Sequence, residues 1–120
     1  MMKLEQLKKN RALINEIDWE MTPEEAVRLY LEWGNNWAGG KYVVRSKNDV
    51  THYFVINTWK ETPRIFLVKR NSELSEELAE IELPEKFRKS FLASVGNQKG
   101  VYAVNGPIGD WLKKELNCHL

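Results

Sequence analysis

The sequence predicts an α+β protein: a single domain holding an antiparallel three- to four-stranded sheet. Three observations predict it. Segments 41–45, 50–59 and 64–70 are rich in Val, Ile, Tyr, Phe and Trp, the residues that suit a pleated surface. Only SKND and KETP separate them, and connections this short join antiparallel neighbours, because a parallel crossover needs a dozen residues or more. Helical periodicity lies before and after this meander rather than alternating with it.

Residues 3–18 carry Leu4, Leu7, Leu13 or Ile14, and Ile17 at roughly helical spacing, which predicts an amphipathic helix with a narrow apolar stripe. A second helix is predicted over 22–33. Thr22 suits the N-cap, Pro23 the first helical position, and Glu25 completes a capping box, with Met21 and Ala26 as a hydrophobic staple. Ala26, Val27, Tyr30, Leu31 and Trp33 form its expected stripe, and Gly34 is expected to cap its end. After the meander, 73–80 reads as helical, although AEIEL suits an extended segment as well. Pro84 opens a helix over 84–95 with Phe87, Phe91, Leu92 and Val95 on one face and Gly96 behind it. A fourth strand over 100–104 is expected at the sheet edge beside the first, followed by a C-terminal helix over 107–117. The stretches GNNWAGGKYVV and GNQKGVYAV echo one another, which follows from the positive-φ tolerance of Gly and Asn between helix and strand.

All 120 residues fit one domain (1–120), with no linker or low-complexity segment to divide it. Five Trp, four Tyr and four Phe supply ample core material. Eighteen basic and 17 acidic residues give a formal charge of +1, which argues against a dedicated nucleic-acid binder. A single cysteine, Cys118, excludes an internal disulfide. The charged N-terminal stretch does not read as a signal peptide, no apolar run approaches membrane-spanning length, and a cytoplasmic location is expected.

Treating KETP as a four-residue loop places Trp59 opposite Arg64, Asn57 opposite Phe66 and Tyr53 opposite Arg70. Treating SKND likewise places Val43 opposite His52 and Tyr42 opposite Tyr53. One face then holds Val43, Phe54, Ile56, Ile65 and Leu67 and packs on helices. The other is aromatic and basic, with Tyr42, Tyr53, Trp59, Arg64, Phe66 and Arg70 as candidate binding residues. It is either covered by a helix, with Trp59 over the Arg64 stem, or free as a recognition surface.

Chemistry is sparse. His52, Cys118 and His119 lack any metal-binding spacing, and no cofactor is expected. No nucleophile lies in an elbow motif, the acidic residues read as helix first turns or solvated faces, and no catalytic residue is assigned. The GGK of the opening glycines enters a strand from a helix, the reverse of a phosphate loop. The amides heading NGPIGDW suit an anion better, although Asp110 already supplies negative charge there. A second candidate site is the loop carrying Asn35, Asn36, Trp37 and Lys41. The leading expectation is a non-enzymatic protein that binds a protein partner, or a second copy of itself, through the aromatic–basic face. The alternatives are a small-molecule site or a modest enzyme at the loop, and single-stranded nucleic acid on the sheet.

Overall fold

The computed structural model describes residues 1–35, 50–59, 62–71, 75–96 and 100–116. The predicted strand 41–45, the Trp37 loop and the Cys118–His119 pair lie outside the described residues. Within them the elements run α1 (Leu4–Lys8), α2 (Arg11–Ile14), α3 (Pro23–Asn35), β1 (Val50–Asn57), β2 (Arg64–Asn71), β3 (Ser75–Glu82), α4 (Glu85–Val95), β4 (Val101–Ala103) and α5 (Gly106–Glu115). The α+β class and the antiparallel sheet are as expected, with strand order β3-β2-β1-β4; β4 pairs with 50–57, whereas the expectation set it beside the predicted strand 41–45.

The N-terminal helix is broken in two. Asn10 caps α2 by accepting from the Leu13 amide at 3.1 Å, and this local bond competes with helix continuation. The apolar stripe survives the break, with Leu7, Ile14 and Ile17 buried. At α3 the predicted capping box is present: Glu25 N donates to Thr22 Oγ1 at 3.3 Å, and Thr22 N donates to Glu25 Oε1 at 3.3 Å. Among the side chains described, the buried stripe is Ala26, Leu29 and Tyr30; those of Leu31 and Trp33, expected in it, lie outside the described set. Gly34 lies inside α3 rather than capping it. At the end of α4 the expected glycine cap is found, with Gly96 at φ 66°.

Of the predicted helix over 73–80, residues 75–80 belong instead to strand β3 (Ser75–Glu82), which takes in most of the AEIEL stretch that also suited an extended form. Ala79, Ile81 and Leu83 alternate into the core, and pairing along β2 outweighs the helix preference of Glu and Leu. A bulge at Leu67/Val68 sets Leu78 outside the ladder with β2. Met2 covers part of the outer edge of β3, donating to Leu78 O at 3.0 Å and accepting from Glu80 N at 2.9 Å.

The β1–β2 register differs from expectation by two residues. Asn57, not Trp59, stands opposite Arg64. Thr58 leaves the ladder because its N–H donates to Gly100 O at 2.9 Å, while Asn57 Oδ1 accepts from Trp59 N at 2.8 Å. A slip of two preserves the side-chain period, so the face assignments stand. Phe54, Ile56, Ile65 and Leu67 join Leu7, Ile14, Leu112 and Leu116 in the larger core. Tyr53, Val55, Phe66 and Val68 pack under Ala26, Leu29 and Tyr30 of α3. The sheet is therefore sandwiched between α3 on one face and the remaining helices on the other.

Candidate functional site

The five described residues of the six expected on one recognition face do not form an open surface. Tyr53 and Phe66 are each 1% exposed beneath α3. The reason is the α3 stripe, which needs an apolar surface and finds it on these rings. Arg64 stands opposite Asn57 rather than Trp59. Its Nε meets Glu80 Oε1 at 3.1 Å and its Nη1 meets Glu82 Oε1 at 3.3 Å. These acids, expected on a solvated helix face, reach Arg64 because β3 lies beside β2. Arg70 is buried and donates from Nη1 to Ser75 Oγ at 2.9 Å. Of the five described, Trp59 alone is open, at 63% exposure. Tyr42 lies outside the described residues, as do Asn36, Trp37 and Lys41 of the loop site, and Asn35 ends α3.

A different site forms at the edge of β1. Two tethers hold that edge. The Asp18 amide donates to His52 O at 2.9 Å, and β4 pairs with Val55, Ile56 and Asn57. Tyr53 and Phe54 lie between the tethers, one facing each core, and there the two layers part into a cleft of about 280 Å³. Met21 and Ala26 line it from the α3 side, Asp18 and Trp19 from the connection before α3, with Trp19 packed on the larger core, and Ala103 to Gly106, Gly109, Asp110 and Lys113 from the β4–α5 side.

The wall is aromatic. The Trp19 ring stands 5.4 Å from that of Phe54, tilted by 37°. Lys113 Nζ lies 5.6 Å from the centroid of Trp19, within cation–π range. Asp18 Oδ1 accepts from the Glu20 amide at 3.0 Å, which holds the turn that presents Trp19. Charge at the rim is mixed, with Asp18 and Asp110 against Lys113. The start of α5 carries no side-chain cap hydrogen bond, and Asn105, Gly106 and Gly109 line the cleft.

No protein-family model, no curated protein and no solved structure shows a significant match to the chain. The site therefore rests on its own geometry.

The cleft lining contains carboxylates, an ammonium and an amide but no His, Cys or Ser among the described residues. His52 is turned away into the larger core, where burial pushes its imidazole below the usual value, Glu16 opposes that shift and Lys69 adds to it. Among the described residues no group of three or more His, Cys, Asp or Glu is placed to hold a metal ion. No described helix is long and apolar enough to cross a membrane.

Sequence reasoning named Met21 as a staple, Ala26 as a staple and stripe residue, and Asp110 as a helix charge. Trp19 and Lys113 carried no weight at all. The one available signal was a Trp in the short connection before a well-capped helix, where its large apolar ring needs a partner.

Proposed function

We propose that this is a non-enzymatic binding protein whose ligand is a small molecule held in the cleft between Trp19 and the start of α5. The observation that carries the reading is the Trp19–Phe54 wall of a 280 Å³ cleft whose rim bears both signs of charge. Ligand sites combine apolar walls with a few placed polar groups, and this volume sits just below their usual lower end of about 300 Å³. It suits a planar molecule with a charged substituent, stacked on Trp19 and answered by Lys113 or by Asp18 and Asp110. The described lining offers rings for stacking, and carboxylates and one ammonium for charge pairing.

A panel of small planar acids and amines, screened by thermal shift and Trp fluorescence, tests this. At least one class should raise Tm and quench fluorescence, and Ala103→Phe, which fills the cleft, should remove the response. A panel without hits, or hits that Ala103→Phe leaves intact, would sink it.

Trp59 supports a second reading, a protein partner or second copy docking at the β1–β2 connection. Its ring is 63% exposed while its amide is pinned by Asn57, and exposed Trp is enriched among interface anchors. Size-exclusion chromatography with light scattering should then show a concentration-dependent dimer that Trp59→Ala abolishes. A strict monomer at high concentration removes the self-association form of this reading.

A further inference from the structure

Three strands meet in one buried polar rung. Thr51 pairs with Arg70, and Arg70 pairs with Ser75. All three are more than nine-tenths buried, at 4%, 7% and 4% exposure. Arg70 Nη1 donates to Ser75 Oγ at 2.9 Å, while Arg70 Nε is buried with no hydrogen-bond partner among the described residues. Arg64, on the same strand and the same face, shows the contrast, because two glutamates meet it. Glu77, whose rung with Val68 lies on this face too, accepts from the Tyr30 hydroxyl at 2.7 Å.

A guanidinium stays charged at every accessible pH. Burying that charge without a counter-charge is unfavourable, and a buried donor left unpaired adds to the penalty. The forked N–H groups of Arg match the paired oxygens of phosphate or sulfate. Ser75, because it accepts from Nη1, keeps its own proton to donate. Arg70 is the penultimate residue of β2 and Ser75 the first of β3, so the rung lies at one end of the sheet rather than at its centre.

We propose that the Thr51–Arg70–Ser75 rung binds a small tetrahedral oxyanion, held by Arg70 through Nε and by the Ser75 hydroxyl. This site is separate from the Trp19 cleft and stands on a different observation. Free phosphate and the phosphate group of a larger molecule share the required chemistry.

The test is thermal unfolding of the full chain in rising phosphate, with chloride at matched ionic strength as control. Wild type should gain several degrees in a saturable, phosphate-specific manner. Ser75→Ala should weaken the response and Arg70→Gln should abolish it. Phenyl phosphate in place of inorganic phosphate separates the two sources: an equal or larger gain assigns the site to a phosphate on a larger molecule, a smaller one to the free ion. No gain over chloride in wild type, or a gain that Arg70→Gln retains, overturns the proposal. Should Arg70→Gln fail to fold, phosphorus NMR of inorganic phosphate with wild type decides. A line that is broadened by the protein and sharpened again by excess sulfate supports the site, and an unchanged line overturns it.

Discussion

Tyr30 of α3 donates its hydroxyl proton to Glu77 of β3 at 2.7 Å, and the same oxygen accepts from Asn57 Nδ2 of β1 at 2.9 Å. One side chain thus ties the covering helix to two strands that are not neighbours in the sheet. Burial, reinforced by the bond to Glu77, raises the phenol above its usual pKa, while the bond from Asn57 opposes the shift. Tyr30→Phe leaves a carboxylate and an amide short of a partner and should cost about 1–3 kcal/mol. Urea unfolding measures it, and a change within about 0.5 kcal/mol, the range of an ordinary surface substitution, would show that the tie is decorative.

Phe66 and Trp59 were expected to share one recognition face, and the structure separates them. Phe66→Ala should destabilise by about 3–5 kcal/mol, the range for a buried aromatic. Trp59→Ala should stay within about 0.5 kcal/mol, since its ring is exposed. Denaturant midpoints with unchanged slopes check both, and comparable losses at the two positions would contradict the helix-covered sheet.

Thr22 holds the start of α3 through its reciprocal bonds with Glu25. Thr22→Ala should cost about 1 kcal/mol. Thr22→Asp, which keeps an acceptor and suits the positive helix end, should restore most of it. A variant pair with equal loss would place the effect elsewhere than the cap.

His52 supplies a pH dependence. Its folded pKa is depressed from 6.5, chiefly by burial, so the native state binds fewer protons than the unfolded chain. Stability from this group is therefore full above pH 6.5 and declines as pH falls below 6.5 through the folded value. His52→Leu should flatten the profile in that window, before most carboxylates titrate. A decline of the same size in the variant would assign it to other groups.

Several features were legible without coordinates because they depend on near neighbours. The Thr22–Glu25 box spans one helical turn. The Gly96 cap needs only a positive φ. The division of Phe54, Ile56, Ile65 and Leu67 from Tyr53, Val55, Phe66 and Val68 follows from the two-residue period of a strand, and it held even though the register moved by two. Segment 75–82 was not legible in the same way. Its Glu and Leu content favours a helix, and only the open edge of β2 makes the extended form the better one. The cleft was less legible still, since Trp19 and Lys113 are far apart in the chain and meet only once it has folded.

Local chemistry, then, determined the α+β class, most element positions and the two faces of the sheet. Tertiary structure decided that α3 would cover the aromatic face, that Glu80 and Glu82 would neutralise Arg64 while no carboxylate among the described residues meets Arg70, and that a cleft would open beside Trp19. The physical reason is reach. Capping and periodicity act over a few residues, whereas burial and ion pairing join whichever surfaces the closed chain brings together.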